Sequence, residues 1–167
     1  MTEAEIIDGI IAREGGYVDH PNDRGAATNF GITLKTLRSW RRDPALTAAD
    51  VQALSKEEAR RIYRTEYIER PGFDRIANDH LRAHLIDFGV NSGPRTAALA
   101  LQKILDVSQD GDIGPVTLAA LRRMGAMKCS NLLMAARIMH YAKIVRGDPS
   151  QSAFIAGWLD RALRFMI

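Results

Sequence analysis

Cysteine is nearly absent: the chain of 167 residues has one, Cys129. That excludes a disulfide within the chain, and the apolar helical pattern around Cys129 makes it a core residue rather than a nucleophile. No apolar run approaches membrane-spanning length, so stable insertion into a bilayer is not expected. The start of the chain has no basic segment leading into an apolar one. Thr2-Glu3-Ala4-Glu5 is acidic and amphipathic instead, so export by the ordinary signal-peptide route is not expected. Low-complexity tracts are missing, as is any Pro/Ser/Gly-rich linker at mid-chain. Metal chemistry finds no support: the four histidines do not pair at ligand spacing, and Asp110-Gly111-Asp112 lacks both EF-hand spacing and the glutamate of its twelfth position. No metal and no other cofactor is therefore expected. The net charge of +3 and pI of about 9.2 fall short of a nucleic-acid footprint. No helix gathers Arg and Lys without interleaved acids, so no nucleic-acid partner is expected. The mild basicity does suit a substrate in the anionic cell envelope.

What is present is organised around Glu14. Thr2, with Glu5 three residues later, starts a helix as a capping box, and Ile6, Ile7, Ile10 and Ile11 give it an apolar stripe. Glu14 lies four residues after Ile10 and seven after Ile7, so it continues that stripe and is expected to be buried. Gly15-Gly16 end the helix. Burial and the negative end of the helix dipole both disfavour a charged carboxylate there, which suits Glu14 to donate a proton near neutrality. A last-turn glutamate that swings out to solvent is the alternative. Beyond Tyr17, Asp19, Asp23, Thr28 and Asn29 stand in a polar, Gly-rich segment with turn signals at Pro21-Asn22 and Asp23-Arg24-Gly25. Thr28, Phe30, Ile32 and Thr33 predict a short hairpin near residues 17–33. Glycoside hydrolysis needs one protonated acid and one ionised carboxylate flanking the scissile bond. Asp23, in a solvated turn, suits the second role, although ordinary turn chemistry also accounts for Asp19 and Asp23.

Glu14-Gly15-Gly16-Tyr17, followed by Asn29-Phe30-Gly31-Ile32-Thr33, resembles the signature of glycoside hydrolase family 108, bacterial and prophage N-acetylmuramidases that resemble lysozyme. The resemblance implies the catalytic-acid role for Glu14 and peptidoglycan glycan strands as the partner. The spacing is also similar to that of phage-type lysozymes, in which Glu, eight residues, Asp, five residues and Thr form the catalytic set. Here eight residues separate Glu14 from Asp23, and four separate Asp23 from Thr28. The resemblance thus implies catalytic roles for Asp23 and, with the spacing one residue short, Thr28. Tyr17 and Asn29, within the two signature runs, are candidate substrate contacts.

Downstream, Thr33 predicts the N-cap of a helix through Leu34, Leu37 and Trp40 that ends at Asp43-Pro44. Thr47 with Asp50 and Ser55 with Glu58 are further capping boxes. The second opens a helix with Ile62, Tyr63 and Tyr67 and a mixed-charge outer face, broken at Pro71-Gly72. Leu81, Leu85 and Phe88 mark a helix that stops at Asn91-Ser92-Gly93-Pro94, and Asp87 on it needs a partner if buried. The stretch Asp87 to Gly93 recurs in the resembled family. Asn91 is a candidate substrate contact, with a helix C-cap as its other role. Leu101-Gln102, the Asp110-Gly111-Asp112 turn and a helix opened by Gly114-Pro115 resemble a peptidoglycan-binding repeat. That resemblance covers about residues 87–165, and the glycoside hydrolase one residues 3–85. The expected fold is mainly α and lysozyme-like, with about eight helices and one small β-hairpin near residues 17–33. Its two segments are expected to pack as one continuous body with the cleft between them.

These readings converge on a peptidoglycan hydrolase. It is expected to be an endolysin-like N-acetylmuramidase that cleaves the β-1,4 bond between N-acetylmuramic acid and N-acetylglucosamine, with Glu14 protonating the leaving oxygen. A lytic transglycosylase would use Glu14 alone and leave anhydro-muramyl ends. A non-catalytic peptidoglycan-binding or secretion-associated protein would hold the sacculus without cutting it. The chain is expected to be made in the cytoplasm and to reach the cell wall in the periplasm after release through a holin, as prophage lytic enzymes do.

Overall fold

The computed structural model describes residues 3–18 and 27–166. Among them are nine α-helices, where about eight were expected, and one small antiparallel hairpin, so the fold is mainly α. The chain divides into two compact units, one running to Thr65 and the other from Glu66 onward. No helix among the described residues is long and apolar enough to cross a membrane.

In the first unit, α1 (Glu3–Glu14) buries Ile6, Ile7, Ile10 and Ile11, each contributing about 1.5–3 kcal/mol of hydrophobic stabilisation. Its expected capping residue, Thr2, lies outside the described residues. Strands β1 (Thr28–Asn29) and β2 (Ile32–Thr33) pair antiparallel, with Asn29 opposite Ile32. Helix α2 (Leu34–Arg41) starts as its sequence dictates: Thr33 Oγ1 accepts from the Thr36 amide at 3.2 Å. Helix α3 (Ala48–Gln52) carries the Thr47–Asp50 capping box. Ser55 caps α4 (Lys56–Arg64), but Glu58 does not complete that box. Its carboxylate takes both prongs of Arg41, at 2.9 and 2.7 Å, and the indole of Trp40 also donates to it. Arg60 reaches Asp8 at 2.7 Å and ties α4 to α1. The outer face of α4 is therefore partly paired rather than simply solvated. A π-helical turn, Thr65–Glu69, continues α4.

The second unit is built from α5 (Asp79–Ser92), α6 (Pro94–Ile104), α7 (Pro115–Met124), α8 (Ala126–Gly147) and α9 (Ile155–Leu163). Asp87 on α5 is buried, and its partners come from far along the chain. Arg137 on α8 donates to Oδ2 at 2.7 Å, and Arg161 on α9 reaches both oxygens at 2.9 and 3.0 Å. Arg137 is itself fully buried, donates to the Tyr141 hydroxyl at 2.6 Å, and lies over the Phe88 ring. Removing one partner from such a buried pair costs about 3–5 kcal/mol, because the other charge is stranded. Leu132 and Met139 on α8 are exposed and do not join its core face. Cys129, Leu133, Met134, Arg137 and Tyr141 do.

His84, one turn before Asp87, stacks on Phe165 with ring centroids 4.9 Å apart and sits 3.4 Å from Ser130 Oγ. Burial, with a smaller contribution from the nearby Arg137 cation, pushes its pKa down to about 3. The unfolded chain binds a proton at His84 below about pH 6.5 and the folded chain does not, so stability falls as pH drops through that window. Chemical denaturation at pH 7 and pH 5 is expected to show a loss of about 2 kcal/mol from this group, at 1.36 kcal/mol per pH unit below 6.5. His84→Phe is expected to flatten that part of the pH dependence; an unchanged slope would contradict the assignment.

Candidate active site

Glu14 ends α1, as the sequence indicates, but it is exposed. The buried stripe stops at Ile11, and the whole final turn, Ala12 to Glu14, lies outside the core. The expectation of a buried carboxylate is corrected accordingly. Glu14 instead rests on the hairpin. Phe30 and Gly31, the two loop residues, have φ of 53° and 76°, the pair of positive values that a type I′ turn requires. A Cβ at Gly31 would stand 2.5 Å from Tyr63 Oη and 2.9 Å from Glu14 Cγ, inside any permitted contact. Glycine is thus required twice over, for its φ and for the approach of two side chains. Tyr63, buried on α4, donates to the Phe30 carbonyl at 2.9 Å and holds the turn from beneath.

Three further anchors keep this short hairpin in place. Ile32 is fully buried. Asn29 is buried too, and its amide nitrogen donates to the carbonyls of Val51 and Gln52 at 3.0 and 3.2 Å. Those carbonyls lie in the last turn of α3, where Val51 also accepts from the Leu54 amide at 3.2 Å, so Asn29 adds to the cap of α3 and locks the hairpin to it. The nitrogen of its side chain is thus committed to the scaffold. Finally, Val18 and Thr28 exchange two backbone hydrogen bonds of 2.8 Å. They pin together the two ends of the segment that carries Asp19 and Asp23.

Asp23 itself lies outside the described residues. Thr28 is half-buried on β1, and its hydroxyl faces the Val18 carbonyl at 3.5 Å. Tyr17, half-buried, follows the glycine pair after Glu14. Glu14, Tyr17, Thr28 and Asn29 therefore all belong to one helix end and the hairpin beside it. Asn91 belongs to the other unit, inside α5, where its Oδ1 accepts from Ser92 Oγ at 3.2 Å. The C-cap role falls to Gly93, with φ of 91°. Among the described residues, no group of His, Cys, Asp and Glu could hold a metal ion. The residue that sequence reasoning undervalued is Tyr63, which its spacing sets with Tyr67 on one helix face, in a groove or at the core edge. A buried tyrosine needs a partner for its hydroxyl, and that was the available signal.

In the second unit, the Asp110-Gly111-Asp112 turn is organised by Gln102. Its amide donates to Asp110 Oδ1 at 2.6 Å and to the Asp112 carbonyl at 2.9 Å, while its oxygen accepts from the Gly111 amide at 2.8 Å. The carboxylate that invites a calcium reading is spent on the protein's own amides.

The first unit thus sets an exposed acid at a helix end beside a glycine turn, and the second carries an Asp-Gly-Asp turn; the family models that match the chain make it a glycoside hydrolase that acts on peptidoglycan. Comparison with known proteins places it more closely. Residues 7–93 match the family model for glycosyl hydrolase 108, and residues 96–163 match a second model described as a predicted peptidoglycan domain. The chain belongs to the glycosyl hydrolase 108 family. Among solved structures it is similar to that of Brucella abortus SagA, with 40% identity and a TM-score of 0.84 over 98% of this chain and 90% of that one. No curated protein matches it.

Replacing Gly31 with alanine would drive a methyl group into Tyr63 and Glu14. Gly31→Ala is expected to lower kcat/KM on peptidoglycan roughly 100-fold, the size of effect that a misplacement of about 1 Å can produce. The rate of release of soluble fragments from purified sacculi measures it; activity within twofold of wild type would contradict the role given to the turn.

Proposed function

We propose that this chain is an N-acetylmuramidase, cleaving the β-1,4 bond between N-acetylmuramic acid and N-acetylglucosamine. The observation that carries the proposal is the seating of Glu14: an exposed residue at the end of α1 whose side chain is braced by Gly31 of the hairpin turn. Membership of the glycosyl hydrolase 108 family supports the reading, since Glu14 heads the signature run. Glu14 protonates the glycosidic oxygen as the bond breaks, and a second carboxylate stabilises the oxocarbenium-like state directly or through a water. Asp23 is assigned that second role from its spacing and from its place in the segment that Val18 and Thr28 close. The bound strand displaces water from around Glu14 and supplies the dry setting that the free protein does not.

The test is digestion of purified peptidoglycan by wild type and Glu14→Gln, with mass spectrometry of the fragments. Wild type is expected to release fragments with reducing N-acetylmuramic acid ends. Glu14→Gln is expected to be slower by roughly 10²–10⁴-fold, the contribution of a positioned general acid. Anhydro-muramyl ends would replace the muramidase with a lytic transglycosylase. Retention on the sacculus with no release by either protein would replace it with a binding module.

A further inference from the structure

The second unit carries an open cleft of about 240 Å³, lined by Glu66, Arg70, Pro71, Pro94, Arg95 and Gly111. Its walls are fixed by short polar contacts. The Ile113 amide donates to the Pro71 carbonyl at 3.0 Å, and Arg75 donates to the Ile113 carbonyl at 3.1 Å. Gln102 holds the Asp110-Gly111-Asp112 turn from within. Arg95 Nη1 donates to the Asp110 carbonyl at 2.6 Å, and its guanidinium lies across Gly111. A Cβ at residue 111 would meet Arg95 Nη1 at 2.7 Å, and the φ of 86° there also favours glycine. The Asp-Gly-Asp turn thus seats an arginine at the rim of the cleft. Arg70 forms an ion pair with Glu66 and keeps a side chain that is 68% exposed.

The lining therefore holds two guanidinium groups, one carboxylate and two prolines. That is a net positive cleft with an apolar floor. Guanidinium matches the planar fork of a carboxylate, and a bidentate pair is both strong and geometrically selective. The volume is smaller than that of a site for a drug-sized ligand, so it fits one or two residues of a larger chain. Peptidoglycan offers the complement in one place. Its N-acetylglucosamine units are uncharged, whereas its stem peptides carry free carboxylates on short side chains. We infer that this cleft binds a stem-peptide carboxylate between Arg70 and Arg95, so that the second unit reads the peptide and leaves the sugar chain to the first. The inference rests on the reading of peptidoglycan as the substrate.

The test is calorimetric titration of the full chain with the synthetic tripeptide L-alanyl-γ-D-glutamyl-diaminopimelate, with the same peptide amidated at its carboxylates, and with inorganic phosphate. Wild type is expected to bind the free-acid peptide saturably and to bind the amidated peptide and phosphate at least tenfold more weakly. Arg70→Gln, which leaves the Asp-Gly-Asp turn untouched, and Arg70→Gln/Arg95→Gln are each expected to weaken peptide binding at least tenfold. Glu14→Gln is expected to bind it as wild type does. No peptide binding by wild type, or equal binding by the arginine variants, the amidated peptide or phosphate, would overturn the inference. Because Glu14→Gln is assayed for cleavage separately, a muramidase that ignores the stem peptide would sink this inference and leave the proposed function standing.

Discussion

The hydrogen bond from Tyr63 Oη to the Phe30 carbonyl, 2.9 Å long, is the constraint on which the candidate active site depends. Two strands of two residues each cannot hold a hairpin by themselves, since even longer isolated hairpins are marginal in water. Here the turn is clamped from below by Tyr63, its first strand is stitched to α3 by Asn29, and its second is sunk into the core by Ile32. Only then does the bare Gly31 present a firm floor to the Glu14 side chain. Helix ends fray, and a terminal glutamate without that floor would sample many rotamers. Catalysis by proton transfer needs one geometry held in advance.

Glu14 and Asp87 are treated in opposite ways. The first unit leaves Glu14 exposed at a helix end. The second takes Asp87 into the interior and compensates it with Arg137 and Arg161. That triad joins α5 to α8 and α9, elements separated by 50 and 74 residues in sequence. Desolvating such charges offsets much of their attraction, so the gain lies in which helices meet as much as in net stability. Aromatic rings around Arg137, including Phe88 and Tyr141, add cation–π attraction within the same cluster.

Much of this was legible in the chain because the signals were local. The isoleucine stripe of α1, the caps at Thr33, Thr47 and Ser55, and the presence of a short hairpin near residues 17–33 all follow from spacing within a few residues, whereas the Phe30-Gly31 turn does not, because the turn signals lie at Pro21-Asn22 and Asp23-Arg24-Gly25. What was misread depends on distance. Glu14 falls on the apolar spacing of its helix, but whether neighbours cover that last turn is decided by elements elsewhere, and the turn stays exposed. Asp87 signalled a missing partner without saying which of many arginines would supply it. Asn29, named from its place in the signature run, gave no sign that its amide nitrogen would be held by the end of α3, some 22 residues later in the chain. Glu58 offered a capping box and was claimed by Arg41 instead, a stronger charge-assisted pairing.

The measurement that tests the account most directly is the turnover of Tyr63→Phe on purified peptidoglycan, corrected for the folded fraction and taken as a function of pH. Losing one hydrogen bond is predicted to cost about 1 kcal/mol of stability. The predicted result is a fall in kcat of about tenfold or more per folded molecule, with KM nearly unchanged and a shifted alkaline limb of the pH profile, the limb that a general acid governs. If each folded molecule of Tyr63→Phe turns over as wild type does, with the same pH profile, then the tyrosine only fills the core and the turn does not set the acid.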